Sequence, residues 1–319
     1  MNNCGEILRV SDLSVSFPSG RDKFFALSDV SFSVMQGEVL GVVGESGCGK
    51  TTLGRTVMRI YRPSAGEIFL RGVRINSSLP AEIKQADKEY KRRWDRPISA
   101  DLQMIFQDPI SSLNPRMTVR EIISEGLVIN GIKDRAEIDG RVYEILRTVG
   151  LTPEHAGRYP HEFSGGQRQR IGIARAAIMK PSLIIADEPV SALDVSVQAQ
   201  VINLLGDLKA SFGLTVIFIA HDLSVVKYFS DRIAVMYLGR IVEIAPKREL
   251  FENPVHPYTR ALLSAIPIPD PILERRRGRI IYSEESRFEN MRMTEVSKEH
   301  FVLCGEEDAE RLGGAYEKS

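Results

Sequence analysis

One pattern, G-x-x-x-x-G-K-[ST], constrains this chain more than any other feature, and it occupies residues 44–51 as Gly-Glu-Ser-Gly-Cys-Gly-Lys-Thr. The apolar run at 39–43 predicts a buried parallel strand, and residues 51–60 predict a helix. A glycine-rich turn between a strand and a helix wraps backbone N–H groups around phosphate oxygens, and the helix N-terminus adds partial positive charge. The sequence therefore predicts a site for a nucleoside triphosphate.

This phosphate loop supplies most of the candidate nucleotide contacts. Lys50 is expected to reach the β- and γ-phosphates, and the Thr51 hydroxyl is expected to ligate Mg²⁺. We expect Cys48 to favour the reactive thiolate, because it lies beside Lys50 and a helix N-terminus. The alternative is a buried, inert thiol. The candidate set in this region is Gly44, Glu45, Ser46, Gly47, Cys48, Gly49, Lys50, Thr51 and Thr52.

A second glycine turn lies at Ser164, Gly165, Gly166 and Gln167, before a helix-like segment. Ser164 is placed to cap that helix, and the glycines let a ligand phosphate approach bare backbone donors. Taken alone, the segment fits an ordinary capped turn equally well. With the phosphate loop upstream, it predicts a second anion-binding helix terminus.

Two carboxylates, Asp187 and Glu188, follow the apolar run at 183–186 and need different roles. Asp187 is expected to hold the Mg²⁺ shell, since hard cations prefer oxygen ligands. Glu188 is expected to point to the opposite side, because side chains alternate along a strand. There it can orient or deprotonate an attacking water. The alternative is an acid pair that faces solvent at a strand end.

Three further residues fit the same site. Gln107 ends a short apolar run and is expected to touch both Mg²⁺ and the attacking water. His221 follows a β-branched run at 214–220 and is expected to contact the γ-phosphate, although a lone histidine after a strand is more often structural. Asp194 precedes an amphipathic helix.

In this order, the motifs resemble those of the ATP-binding subunit of ABC transporters, over residues 6–267. Residues 106–118 and 252–263 are similar to the oligopeptide/dipeptide importer ATPases. The resemblance implies an α/β P-loop NTPase fold with a parallel-sheet core, an antiparallel β subdomain and an inserted α-helical subdomain at about 112–163. It implies an ATP-binding domain at 1–269 and a C-terminal extension at 270–319.

The resemblance also implies a paired site. Two such domains associate head to tail, and each ATP lies between the phosphate loop of one chain and residues 164–167, the signature motif, of the other. Asp194 belongs to the D-loop of this arrangement. An aromatic ring stacks on adenine, which implies Phe17, with Phe24 and Phe25 as alternatives.

The implied activity is ATP hydrolysis that powers import of peptides or related small solutes. The implied partners are a second ABC ATPase subunit, identical or related, two integral membrane permease subunits, and an external solute-binding protein. The implied location is the cytoplasmic face of a prokaryotic cell membrane. The alternative is a soluble ABC ATPase with a non-transport target; the His-Pro-Tyr stretch at 254–258 favours the importer.

Composition agrees with these expectations. The 42 basic and 42 acidic residues cancel, so no nucleic acid partner is expected. No apolar stretch approaches the ~20 residues of a membrane span, and no secretion signal is expected at the N-terminus. The three cysteines, Cys4, Cys48 and Cys304, form no disulfide framework.

The C-terminal region departs from the implied pattern. Many members of the subfamily carry a cysteine cluster there that holds an iron–sulfur centre, whereas this chain has Cys304 alone, with His300 nearby. Such a centre needs about four ligands. We therefore expect no iron–sulfur cluster, and we expect residues from about 270 to be dispensable for ATP binding.

Overall fold

Two β-sheets organise the computed structural model, which describes residues 5–20, 22–77, 79–266, 282, 291–305 and 308. The larger sheet has the strand order β11-β12-β10-β9-β3-β8-β7-β6, and the smaller one the order β2-β1-β4-β5. The strands are β1 (Glu6–Ser19), β2 (Asp22–Met35), β3 (Val39–Val43), β4 (Ala65–Leu70), β5 (Val73–Arg74), β6 (Leu102–Ile105), β7 (Leu183–Asp187), β8 (Thr215–Ile219), β9 (Arg232–Tyr237), β10 (Arg240–Pro246), β11 (Arg292–Ser297) and β12 (His300–Cys304).

The α-helices lie between these strands along the chain. They are α1 (Lys50–Val57), α2 (Pro80–Trp94), α3 (Ile98–Asp101), α4 (Val119–Ile129), α5 (Arg135–Thr148), α6 (Gly165–Ala177), α7 (Val195–Phe212), α8 (Leu223–Phe229), α9 (Lys247–Glu252) and α10 (Pro257–Ser264). Among the described residues, no helix is both long and apolar enough to cross a membrane.

The centre of the larger sheet is parallel. Strands β6, β7, β8, β3 and β9 pair in parallel, and β9 then pairs antiparallel with β10. Parallel strands are buried on both faces, which explains their continuous apolar sequence. Along β3, Val39 and Val43 pack into the core beneath the helices, whereas Leu40 and Val42 pack towards the smaller sheet. The predicted parallel core is confirmed.

The smaller sheet is antiparallel throughout its pairings, as the predicted β subdomain requires. Helices α4 and α5 lie between the parallel strands β6 and β7 in sequence and pack against α6. A capping box fixes the start of α4: Thr118 accepts from the backbone N–H of Glu121, and the Glu121 carboxylate accepts from that of Thr118. The predicted fold class is confirmed.

A C-terminal hairpin extends the larger sheet. Strands β11 and β12 pair with each other, and β12 pairs with β10 through Glu243 opposite Val302. No strand was predicted for this segment from its sequence. Cys4 lies outside the described residues.

The topology places the candidate motifs together. The phosphate loop follows β3, Gln107 follows β6, Asp187 ends β7, and His221 follows β8. These four strands are parallel neighbours, so their carboxyl ends meet along one edge of the sheet. That edge is where open α/β sheets bind ligands.

Candidate nucleotide-binding site

Glycine is required in the phosphate loop by both backbone conformation and packing. Gly44 has φ +148° and Gly49 has φ +109°, angles that other residues rarely adopt. A Cβ at Gly44 would lie 2.2 Å from the Met236 carbonyl oxygen, and one at Gly49 would lie 2.6 Å from that of Ala26. The loop therefore tolerates no side chain at these two positions.

The lysine of the loop is held by the loop itself. Lys50 is 5% exposed, and its Nζ donates to the carbonyl oxygens of Gly44 (2.7 Å) and Glu45 (2.8 Å). Helix α1 begins at Lys50, and its N-cap, Gly49, gives no side-chain hydrogen bond. The first N–H groups of α1 thus keep their donor capacity for an anion, which the helix dipole also favours.

The remaining residues of the phosphate loop differ in their exposure to solvent. Glu45, Ser46 and Gly47 are exposed, whereas Cys48 is buried. Burial raises the pKa of the Cys48 thiol, although the positive charge of Lys50 opposes this shift. The expectation of a thiolate is therefore wrong, because the cost of desolvating a buried charge exceeds the attraction of Lys50. Thr52, at the other end of the motif, accepts a hydrogen bond at its carbonyl oxygen from Thr56.

Two of the residues expected to ligate Mg²⁺, Thr51 and Asp187, contact each other. The Thr51 hydroxyl donates to Asp187 Oδ1 at 3.0 Å, and Asp187 is 1% exposed. Its Oδ2 is buried and has no hydrogen-bond partner within the described chain. Burial raises the pKa of Asp187, while the hydrogen bond from Thr51 opposes that shift. A buried carboxylate oxygen without a donor suits a hard cation, so the residues present fit Mg²⁺.

Glu188 brings three strand ends together. Its Oε2 accepts from Gln107 Nε2 at 3.0 Å and lies 3.2 Å from His221 Nδ1. Glu188 itself is largely buried, whereas His221 is exposed. The contact of Gln107 is thus with the carboxylate of Glu188.

The orientation of Glu188 was predicted from the alternation of side chains along a strand, and that reason is wrong. Strand β7 ends at Asp187, and Glu188 has φ +45°, so the alternation of side chains along a strand no longer applies to it. Its backbone N–H donates to the carbonyl oxygen of Ile219, which ties the turn to the end of β8. This turn, and not the pleat, aims the carboxylate towards Gln107 and His221.

The signature motif forms the capped helix start that the sequence predicted. Ser164 Oγ accepts from the Gln167 backbone N–H at 3.4 Å, and Gln167 Oε1 accepts from that of Ser164 at 3.1 Å. A Cβ on Gly165 would meet Leu193 Cδ2 at 3.8 Å, an ordinary contact, whereas one on Gly166 would lie 2.6 Å from Val197 Cγ1. Gly165 therefore has room within its own chain.

Asp194, the D-loop candidate, is the N-cap residue of α7, and its side chain makes no capping hydrogen bond. The residue is exposed, as is Val195, which is 81% exposed.

The aromatic candidates for adenine lie on paired strands. Phe17 on β1 faces Phe24 on β2 in the register, and Phe25 is the next residue. Phe17 is half-buried and packs edge-on against Tyr61, with ring centroids 5.3 Å apart, whereas Phe24 and Phe25 are exposed. Tyr61 was not identified from sequence; an aromatic residue just after the predicted helix was the available signal.

The C-terminal residues considered as cluster ligands have other partners or positions. His300 Nε2 lies 2.7 Å from Glu243 Oε1, and Cys304 is buried at the end of β12. Within the ranges that the structure describes, no group of three or more His, Cys, Asp or Glu side chains is arranged to hold a metal ion.

Family comparisons agree with this geometry. Residues 27–191 match the family model described as ABC transporter, and residues 242–291 match one described as the C-terminal region of oligopeptide/dipeptide transporters. The chain is 52% identical to the oligopeptide transport ATP-binding protein OppF of Bacillus subtilis, over 94% of this chain and 97% of that protein. It is 47% identical to the dipeptide transport ATP-binding protein DppF of Lactococcus lactis, over 96% of each.

Solved structures show the same architecture. The ATP-binding cassette MJ0796, a dimer in a post-hydrolysis state with ADP and Pi, aligns with TM-score 0.66 and 27% identity, over 76% of this chain and 99% of that one. The cassette cbiO1 of Clostridium perfringens, part of the transporter complex cbiONQ, aligns with TM-score 0.66 and 27% identity, over 78% and 92%. The chain belongs to the ABC transporter family of ATP-binding proteins, in its oligopeptide/dipeptide group.

Proposed function

We propose that this chain hydrolyses ATP at the edge formed by β3, β6, β7 and β8 and thereby powers import of peptides or related small solutes. The observation that carries the proposal is the convergence on one carboxylate. Glu188 Oε2 lies within 3.2 Å of both Gln107 Nε2 and His221 Nδ1, beside the Thr51–Asp187 pair. The proposal that the transported solutes are peptides is supported by the similarity to oligopeptide and dipeptide transport proteins.

In the proposed mechanism, the phosphate loop binds ATP through its backbone N–H groups and the N-terminus of α1. Lys50 exchanges the carbonyl oxygens of Gly44 and Glu45 for phosphate oxygens, so its charge is never left without a partner. Thr51 and Asp187 would hold Mg²⁺, which would neutralise part of the phosphate charge. No iron–sulfur cluster takes part.

Glu188 is the proposed catalytic base. Its carboxylate orients the attacking water and accepts a proton from it, while Gln107 holds the carboxylate through Nε2. His221, whose exposed imidazole has Nδ1 3.2 Å from Glu188 Oε2, is the proposed contact to the γ-phosphate. Phe17 is the proposed adenine contact, with Phe24 and Phe25 as the alternatives.

The ATP site is proposed to be completed by a second ATPase subunit, identical or related. Ser164 and Gly165 of the signature motif and Asp194 are exposed, and Gly166 and Gln167 are partly exposed. The motif and Asp194 present backbone or carboxylate groups to the surface, where a partner's nucleotide can reach them. The dimeric state of the MJ0796 cassette supports this arrangement.

Membrane partners are proposed to dock on the helical subdomain. Large apolar side chains are exposed on it, at Val128 (55%) and Ile129 (74%), and just before it, at Ile110 (63%). Exposed apolar side chains of this kind are typical of protein–protein contact surfaces. The proposed complex has two permease subunits and an external solute-binding protein, and it places this chain peripherally on the cytoplasmic face of the membrane.

Reconstitution tests the proposal. The chain is co-purified with its membrane partners, placed in proteoliposomes with ATP on the side of this chain, and assayed for uptake of a labelled peptide. Wild type and Glu67→Gln, a control at a partly exposed glutamate that pairs with Arg74 outside the helical subdomain, should import peptide, and Glu188→Gln should not. If the chain co-purifies with no integral membrane subunit, the transport role is contradicted. ATP turnover without peptide uptake would contradict the substrate class.

A further inference from the structure

A tyrosine from the C-terminal part of the chain is bonded to the phosphate loop. Tyr258, near the start of α10, is 2% exposed, and its hydroxyl accepts from the Glu45 backbone N–H at 3.1 Å. The carbonyl oxygen of Glu45 accepts from Lys50 Nζ at 2.8 Å. Both backbone groups of Glu45 are thus held, one by the loop's own lysine and the other by a residue 213 positions away.

The local sequence fixes the orientation of Tyr258. His256 caps α10 by accepting the Tyr258 backbone N–H at Nδ1 (3.1 Å), and Pro257 occupies the first turn, where its missing N–H costs nothing. Burial raises the pKa of the Tyr258 phenol, against the opposing effect of the Glu45 N–H. The phenol therefore stays neutral near pH 7. The ring packs against Tyr237, with centroids 4.3 Å apart.

A buried glutamate anchors the segment that carries Tyr258. Glu243 on β10 has no exposed surface, and its carboxylate accepts from the backbone N–H groups of Val255 (2.8 Å) and His256 (3.0 Å). The same carboxylate lies 2.7 Å from Nε2 of His300, which is 1% exposed on β12. A buried carboxylate is stable only when such groups compensate it. Glu243 thereby connects the C-terminal hairpin to the start of α10.

We propose that Tyr258 is a positioning residue for the phosphate loop, and that Glu243 and the C-terminal hairpin hold it in place. The inference rests on the proposed role of this loop in ATP binding. Without the phenol oxygen, the Glu45 N–H loses its partner, and the loop spends less time in the conformation that binds phosphate. Apparent affinity falls in proportion to that fraction. The proposal replaces the expectation that residues after 270 are dispensable for ATP binding.

Two tyrosine-to-phenylalanine variants test the role of Tyr258. Tyr258→Phe removes only the acceptor oxygen and keeps the packed ring. Tyr90→Phe is the matched control, because Tyr90 is equally buried and its hydroxyl donates to Asp101, away from the phosphate loop. The assay measures the ATP Kd of the isolated chain together with its thermal midpoint. Tyr258→Phe should raise the Kd about fivefold, the equivalent of one hydrogen bond of about 1 kcal/mol.

Tyr90→Phe should lower the thermal midpoint and leave the ATP Kd unchanged. In the assembled transporter, Tyr258→Phe should raise KM for ATP while kcat stays close to wild type, since the lost contact is uniform binding. If Tyr258→Phe behaves like Tyr90→Phe, with lowered stability and an unchanged Kd, the positioning role is refuted. If the wild-type chain binds no ATP, the result contradicts the proposed function itself and not the role of Tyr258.

The part played by the hairpin is tested at His300. His300→Leu removes the side-chain donor to Glu243 and should raise the ATP Kd, whereas His300→Gln keeps an N–H donor and should rescue binding. The Kd of each is compared among chains that remain folded by circular dichroism. Equal ATP affinity in wild type, His300→Leu and His300→Gln would refute the connection from the hairpin to the loop.

Discussion

The substitution Gly165→Asp distinguishes the roles of the two anion-binding helix N-termini of this chain, the phosphate loop and the signature motif. In the isolated chain, Gly165 is exposed, and a Cβ added there would meet Leu193 Cδ2 at 3.8 Å, an ordinary contact. The signature helix keeps its cap, because Ser164 and Gln167 bond each other independently of Gly165. The substitution should therefore leave the fold and the chain's own phosphate loop intact.

The cost arises in the paired state. Two unit charges about 5 Å apart repel by about 3 kcal/mol at an effective dielectric constant of ~20, and the terminal phosphate carries more than one charge. A repulsion of that size weakens the closed, ATP-bound pair by more than about a hundredfold. Gly165→Asn is the matched control, since asparagine has the shape of aspartate without its charge.

The assay measures ATP binding by the dilute chain and ATP hydrolysis by the assembled transporter. Gly165→Asp should bind ATP like wild type when dilute and should lose hydrolysis in the complex, while Gly165→Asn should lose much less. Equal loss of binding and hydrolysis in Gly165→Asp would show that the signature motif acts on its own chain's ATP. Equal loss of hydrolysis in the aspartate and asparagine variants would show that shape, and not charge, is responsible.

Two predictions concern buried groups. Because burial raises the pKa of Cys48, iodoacetamide should label this thiol more slowly than a free cysteine at pH 7. The labelling rate should increase as the pH rises above the ordinary pKa range of cysteine. Fast labelling at pH 7 would contradict the raised pKa. Asp101 is fully buried and lies 3.3 Å from Arg71 Nε and 3.2 Å from Arg96 Nη1. Asp101→Asn should lower the free energy of unfolding by about 3 kcal/mol, because it leaves these guanidinium groups poorly compensated. Urea unfolding measures the change, and a variant as stable as wild type would contradict the reasoning.

Most of the parallel core was predictable from sequence because its strands are continuous apolar runs. The apolar run at 39–43 is β3, and the run at 183–186 lies in β7, which ends at Asp187. The phosphate loop, Gln107, Glu188 and His221 were each expected after an apolar run, and parallel strands end at a common edge. That Gln107, Glu188 and His221 share one site was therefore predictable, but their contacts with one another were not.

Other features depend on tertiary packing that sequence patterns do not encode. The left-handed backbone of Glu188 is set by its N–H bond to Ile219 on the neighbouring strand. The raised pKa of Cys48 follows from its depth, and neighbouring charges in sequence suggested the opposite. The bond from Tyr258 to Glu45 spans most of the chain.

The C-terminal hairpin was missed for a related reason. Its first strand, β11, has no fully buried side chain, so its sequence lacks the apolar pattern of the core strands. The apolar run at 301–304 in β12 was the available signal, and it is short.

The turnover of Glu188→Gln tests the central claim most directly. Phosphate release is measured for the assembled transporter, with the ATP Kd of the isolated variant measured beside it. The account predicts wild-type ATP affinity and a loss of turnover of at least about a hundredfold, since glutamine keeps the shape of Glu188 but cannot accept the proton. Turnover equal to wild type would contradict the assignment of Glu188 as the catalytic base.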